Sequence, residues 1–496
     1  MREVEPSSAA AVAAAAPSSP GDLRDLNTAA EHAAGMRQLW VLMATVFVDM
    51  IGAMMVLPLL PFYVIRFGAR PSLVGPLIGT FFMAQLATSP LWGRLSDRYG
   101  RRPLILVGLL LSAVSYVLFG LAGTIWMLFL SRLVQGIGSG TVGVVQAYVS
   151  DSIAPEERAK ALGWVTAAIS AGVVIGPLIG SSATYLGSSA PGYLAAGLCV
   201  VNFLFASRWL PESRHRDAAP LEKNERGEQP PPRRSLRKSI AEVVREPTSP
   251  VASLIWLYAV GMMAFMAMNG VLALYLGRVY GVTEKTIGFF YTYVGAISLV
   301  MRAVLLGPAV RRFGEVGAMR LGTVALALGM AAIPLPAWLP MPAAARIAGL
   351  ALVVLMVPVG TALLFPSTTA LVSRRAPREE TGQVMGVQQA FGGVARLLGP
   401  LWSTAAFGFN VNLPFWLAAG FMLGGGVLAS TIQPEARDSR AQPRAAAPAA
   451  AGGPAAAAVP CEPAMAPVEA ALASMEPAVA PVEAAAAPAS AAVEPT

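Results

Sequence analysis

Leu39-Trp-Val-Leu-Met-Ala-Thr-Val-Phe-Val-Asp49-Met-Ile-Gly52-Ala-Met-Met-Val-Leu-Pro58-Leu-Leu-Pro61-Phe-Tyr-Val64 is an apolar run with a single charged side chain, Asp49. As a helix rising 1.5 Å per residue it would reach about 39 Å, longer than the roughly 30 Å hydrocarbon core of a bilayer. Residues 1–36, ahead of it, are rich in Ala, Ser, Pro and Glu and lack the short cationic segment and apolar core of a secretory signal. The run is therefore expected to stay in the protein as a membrane helix.

Eleven more runs of this kind follow, near 74–93, 104–122, 126–148, 162–184, 192–210, 252–276, 286–307, 318–339, 345–371, 383–407 and 412–431. The sequence thus predicts an all-α membrane protein of twelve transmembrane helices. Its parts are a disordered N-terminal tail (1–36), a six-helix half (37–211), a polar linker (212–250), a second six-helix half (251–433) and an Ala/Pro-rich tail (434–496). The second tail lacks the apolar mass to fold and is expected to be disordered.

A repeat supports the division. With a shift of 223 residues and no gap, Ala147–Leu178 matches Ala370–Leu401 at 10 of 32 positions. Glu156-Glu157 falls on Glu379-Glu380, and Gly176-Pro177-Leu178 on Gly399-Pro400-Leu401. Chance similarity between apolar helices explains Ala and Val matches but not a loop acid pair and a Gly-Pro register. A parallel repeat implies halves related by an axis along the membrane normal, with a substrate path between them.

Composition agrees: 55% of the 496 residues are apolar and 13% charged, and the mean hydropathy is +0.59. Soluble domains carry about twice that share of charge. The net charge of +8 would raise the question of nucleic acid, but the basic residues gather in loops 2-3, 4-5, 8-9 and 10-11 and in the central linker. The alternate loops hold Arg66, Arg70, Arg278, Lys285 and Arg346. The positive-inside rule then puts both termini and the linker in the cytoplasm, and no nucleic-acid partner is expected. Cys199 and Cys461 make no disulfide framework, and His32 and His215 lie outside the apolar runs, so no metal site is expected.

The loop after the second run reads Gly93-Arg-Leu-Ser-Asp97-Arg98-Tyr-Gly100-Arg101-Arg102-Pro103. Glycines permit a tight turn, and Asp97 can accept from Arg101. A plain basic loop that only fixes topology is the alternative reading. Gly, Asp, Gly and paired Arg at these spacings resemble the loop 2-3 signature of the major facilitator superfamily, and the resemblance extends over all twelve runs. Arg132-Leu-Val-Gln135-Gly136-Ile-Gly138-Ser-Gly140 resembles its fourth-span motif, and Leu210-Pro211-Glu212-Ser213 its exit from span six. Gly172-Val-Val-Ile-Gly176-Pro177-Leu-Ile-Gly180 is similar to the antiporter motif of drug:proton exporters. Small residues four apart also make a close packing face, which is compatible with that reading. The Asp49–Pro61 segment resembles the first helix of the twelve-span drug:proton antiporters, the tetracycline-efflux-like branch foremost.

An acid at Asp49 is costly within a bilayer unless it faces protein or a wet cavity, which makes it a candidate proton carrier; a structural hydrogen-bonding role is the alternative. The resemblance implies that Arg132 tunes that chemistry or faces the cavity, and that Asp97, Arg101 and Asp151 form a cytoplasmic latch with Gly93 and Gly100. Other features depart from the tetracycline-efflux pattern. Ser115-Tyr116 stands where that branch carries an acid, Arg302 replaces a neutral amide, and Arg311 occupies the second-half place of Asp97. Arg302, near the end of its run, is expected to snorkel to the cytoplasm, whereas Arg396 lies too deep to do so. Gln146, Asn269, Tyr275, Tyr291, Gln388 and Arg396 are the candidate cavity residues, and the excess of intramembrane arginine allows an anionic or zwitterionic substrate.

The expected function is proton-coupled export of a small organic compound across the cytoplasmic membrane by a monomer, without a cofactor and without catalysis. No GxxxxGK[ST] loop is present for ATP-driven export, so the proton gradient is the energy source. A metabolite importer of the same fold and a non-transporting receptor or scaffold are the competing readings.

Overall fold

The structure is a computed structural model that describes residues 20–213, 236–377 and 380–433. The stretch 434–496 with Cys461, residues 1–19, most of the linker with His215, and Glu379 of the repeat lie outside the described residues.

In the first half the helices are α1 (Pro20–Val56), α2 (Leu60–Arg66), α3 (Val74–Tyr99), α4 (Arg101–Gly120), α5 (Ile125–Gly138), α6 (Thr141–Ser152), α7 (Pro155–Ala183) and α8 (Ala190–Trp209). Helix α9 (Leu236–Arg245) lies in the linker. The second half contains α10 (Pro250–Tyr280), α11 (Ile287–Val304), α12 (Leu306–Ala332), α13 (Leu335–Trp338), α14 (Ala343–Val354), α15 (Met356–Arg375), α16 (Thr381–Phe409) and α17 (Leu413–Thr431). Among the described residues no strand is formed.

Eleven helical segments among the described residues are long and apolar enough to cross a membrane. The sequence predicts twelve; the expected span 383–407 is the 29-residue α16, which is not one of the eleven. Gln383, Gln388, Gln389, Arg396 and the glycines of α16 dilute its apolar content.

Local chemistry explains the breaks. The first span changes to a 3-10 turn at Leu57–Leu59, where Pro58 and Pro61 remove backbone donors. Helix α1 itself starts at Pro20, inside the stretch expected to be a tail. Ser249 opens α10 by accepting the Ala252 amide at 3.3 Å, with Pro250 at the first helical position. The 8-9 loop expected after Gly307 is instead helical, since α12 starts at Leu306 and bends at Gly314, whose φ is +71°. Gly100 in the first half takes φ +100° at the corresponding turn, so each half uses a glycine where an L side chain would be strained. In the linker α9 docks on the second half: the Trp256 indole donates to the Val243 carbonyl at 3.1 Å, and the Gln383 amide to Ser239 Oγ at 2.7 Å.

Within each half a Gly-Pro helix seats on the helix that opens the half. A Cβ added at Gly172 would lie 2.7 Å from the Phe47 carbonyl oxygen, and one at Gly180 2.2 Å from that of Met55, so α7 and α1 touch backbone to backbone. At Gly399 an added Cβ would meet the Met263 carbonyl oxygen at 2.7 Å, which repeats the seat between α16 and α10. The duplicated Gly176-Pro177 and Gly399-Pro400 are thus structural equivalents.

The halves meet along α3 against α16 and along α7 against α11. Polar ties between them lie toward the end opposite the linker. Arg66 pairs with Glu284 at 2.6 Å, the Gly288 amide donates to Ser181 Oγ at 2.8 Å, and Thr292 Oγ1 to the Val174 carbonyl at 2.9 Å. At the linker end, ion pairs among the described residues stay within one half. The bundle is therefore closed at the far end.

Candidate functional site

Between the halves lies a cavity of about 340 Å³, of a size that suits a drug-like molecule. Pro177 and Pro400, the duplicated prolines, face it from α7 and α16, and Met54, Phe82, Phe265 and Met266 supply an adaptable apolar wall. Helix α11 contributes Tyr291, Val294, Gly295, Ser298, Leu299 and Arg302, a single face at helical spacing.

Two of the six candidate cavity residues, Asn269 and Tyr291, line this space. The Asn269 amide donates to the Phe265 carbonyl on its own helix at 2.8 Å. Tyr275 lies elsewhere, fully buried against Phe415 with ring centroids 4.9 Å apart. Gln388 is fully buried within the second half and donates to Thr369 Oγ1 at 3.2 Å. Gln146 is exposed midway along α6, outside the cavity lining. Arg396 is half-buried one helical turn before Pro400 and is not a lining residue. Arg302, expected at the surface and exposed two residues before the end of α11, is the arginine that borders the cavity. Helix α11 carries Arg302 on the same face as Tyr291 and Ser298, and that face borders the cavity.

A second polar locus sits inside the first half. Asp49 is 8% exposed and Arg132 2% exposed, and neither lines the central cavity. Ser112 and Tyr116 of α4 and Cys199 of α8 surround the Asp49 carboxyl. The Gln135 amide donates to the Tyr116 hydroxyl at 2.7 Å, and Arg132 stands with its guanidinium 5.8 Å from the Phe119 ring centroid. One Arg132 terminal nitrogen is buried without a hydrogen-bond partner. Among the described residues Asp49 and Arg132 form no ion pair; Tyr116 lies close to both. One turn earlier, Asn202 donates to the Thr45 carbonyl at 2.9 Å and fixes α8 against α1.

The third locus is at the linker end of the first half. Arg101 pairs with Asp97 at 2.7 Å and with Asp151 at 2.9 Å, and donates to Ser96 Oγ at 2.6 Å. The three charged residues expected to cluster are together, within one half. Glu212 completes the group: its carboxylate accepts the Arg101 amide at 2.8 Å and the Arg102 amide at 3.2 Å, which caps α4. Glu212 belongs to the Leu210–Ser213 exit from span six, and no feature of that stretch by itself signals the capping role. Gly93 is exposed, with open space where a Cβ would go, so in this conformation no close approach requires a glycine there.

In the second half the same arrangement has its signs reversed. Arg311 and Glu315 stand where Asp97 and Arg101 do relative to the positive-φ glycine, and Glu315 pairs with Arg374 at 2.9 Å. Arg374 is the residue that the 223-residue repeat aligns with Asp151.

A multi-span helical bundle in two equivalent halves, with one cavity between them closed at one end, has the architecture of a membrane transporter. The family model of the Major Facilitator Superfamily matches residues 42–400 and 343–475, and the chain belongs to that superfamily. It is 27% identical over 391 residues to multidrug resistance protein 2 of Bacillus subtilis (strain 168), covering 77% of this chain and 92% of that protein. With the class B tetracycline resistance protein of Escherichia coli it shares 26% identity over 374 residues, 74% of this chain and 87% of the relative. Among solved structures, the human organic anion transporter MFSD10 (TETRAN) superposes with a TM-score of 0.57 at 22% identity, over 80% of this chain and 99% of that one. The nucleoside transporter NupG does so with a TM-score of 0.60 at 14% identity, over 80% and 98%. These likenesses show the fold. The protein is a multi-pass membrane protein of a family of small-molecule transporters.

Proposed function

We propose that this protein exports small organic compounds in exchange for protons by alternating access, with Asp49 as the proton-carrying group. The observation that carries the reading is a carboxylic acid buried in the first span, within a polar cluster of its own half and beside the wall of the central cavity. A charged carboxylate in such a place is costly, and taking up a proton removes much of that cost. The first span bears both features: Asp49 faces Ser112 and Tyr116, while Met54 and, in the turn that follows α1, Leu57 and Pro58 border the cavity. Protonation of Asp49 thus changes the packing of the helix that the substrate touches. The resistance proteins among the relatives support the export direction, and the distribution of basic loops puts the linker end in the cytoplasm.

In this cycle, substrate enters from the linker side and displaces the Asp49 proton toward the cytoplasm. The halves then rock so that the far end opens, substrate leaves, and Asp49 is reprotonated. The test is substrate-triggered proton release from inverted vesicles. Wild type is expected to respond and Asp49→Asn to respond little; equal responses would remove Asp49 from coupling.

A further inference from the structure

We infer that the central cavity selects amphipathic organic acids, with Arg302 receiving the carboxylate; this rests on the export reading above and names its substrate class. Arg302 is the only Asp, Glu, Lys or Arg side chain among the residues that line the cavity. The buried acid of the first span lies behind α1 rather than in the cavity wall, and among the described residues Arg302 forms no ion pair. A bound molecule therefore meets one positive charge, on an exposed side chain at the end of α11, and no negative one. A cationic ligand would lose water on entering and find a guanidinium, which is a penalty in any medium of lowered dielectric.

The guanidinium fork matches a carboxylate with two parallel hydrogen bonds. The rest of the space suits the remainder of such a molecule. From Arg302 the lining face of α11 runs back past Leu299, Gly295 and Val294 to Tyr291, about 16 Å along the helix axis at 1.5 Å per residue. Phe82, Phe265, Met54 and Met266 line the same cavity. Aromatic rings and methionines adapt to apolar bodies of different shape and make no demand on their polarity. The cavity thus reads as a charged head site at one end of a permissive apolar slot.

The test uses three ligands with one aromatic body: 1-naphthaleneacetic acid, its primary amide and 1-naphthylethylamine. Each is titrated calorimetrically at pH 7.5 into the purified full-length protein in lipid nanodiscs. The acid is expected to bind at least about tenfold more tightly than the amide, the discrimination a charge-assisted hydrogen bond supplies, and the amine most weakly. In Arg302→Gln the gap between acid and amide closes, whereas Arg302→Lys retains part of it. An acid that binds no better than the amide in wild type overturns the inference even if the variants do not fold. So does a gap that survives in Arg302→Gln. Proton release by inverted vesicles separates this result from the export reading. Acid preference without proton-linked flux sinks export alone, and flux without acid preference sinks the selectivity alone.

Discussion

Glu315 and Arg374 meet at 2.9 Å in the second half with the charges of Arg101 and Asp151, which meet at 2.9 Å in the first, exchanged. Because each pair is joined within its own half, either can be tested by reversal. Arg374→Glu alone sets two acids side by side, while Glu315→Arg with Arg374→Glu restores attraction. The single change is expected to lower the thermal midpoint and the double change to recover most of the loss. Arg374 is largely exposed, so the coupling is about 0.2–1 kcal/mol. Arg101 is mostly buried and has three side-chain partners, so Arg101→Ala costs more, about 2–3 kcal/mol. Thermal unfolding of the three variants in one detergent decides the order.

Capping of α4 by Glu212 gives a second expectation. Glu212→Ala leaves the amides of Arg101 and Arg102 without their acceptor and is expected to destabilise by about 1 kcal/mol. Gly100→Ala is expected to do worse, because its φ is +100° and the new Cβ would stand 2.6 Å from a Glu212 oxygen. If Gly100→Ala unfolds at the wild-type temperature, the turn has been misread.

The close seat of α7 on α1 predicts sharp position dependence along one helix. Gly180→Ala would drive a methyl to 2.2 Å from the Met55 carbonyl oxygen, so it is expected to cost about 1–3 kcal/mol and depress transport. Gly163→Ala on the same helix meets nothing within 4 Å and is expected to be silent or slightly stabilising. Equal effects at the two positions would contradict helix contact as the reason for the glycines.

Separation of the halves at the closed end is testable by cross-linking. Arg66→Cys with Glu284→Cys replaces a 2.6 Å ion pair between the halves by two thiols. In a chain whose Cys199 and Cys461 are serine, a short bifunctional thiol reagent with a cleavable disulfide spacer is expected to stop substrate flux. Reductant is expected to restore it, and undiminished flux in cross-linked protein would show that this end does not open.

Much of the fold and part of the site were legible in the sequence, and the division has a physical origin. Apolar runs are visible because a bilayer demands them, and the 223-residue repeat because it preserves Gly-Pro pairs at helix contacts. Spacing made only the Asp97–Arg101 pair legible; Asp151 joined it through the resemblance of the motif to the superfamily. The direction in which a polar side chain points was not. Tyr275 and Gln388 are polar groups in apolar helices, as are Asn269 and Tyr291, yet the first two face the interior of their own half and the others face the cavity. Helix phase relative to the partner half decides between these, and no single span encodes it. Arg302 is exposed two residues before the end of α11, as nearness to a helix end suggests; that the face it shares with Tyr291 also borders the cavity was not visible, for the same reason. Glu212 escaped because its partners are backbone amides more than a hundred residues away.

The sign reversal between the halves also bears on which surfaces can come together. Asp97, Arg101 and Asp151 sum to one negative charge, and Arg311, Glu315 and Arg374 to one positive, at the same end of the two halves. Taken by themselves, two clusters of the same kind would oppose like charge to like, whereas one of each offers attraction. Divergence after duplication has thus left two small clusters of opposite sign at one end of the bundle, each satisfied inside its own half.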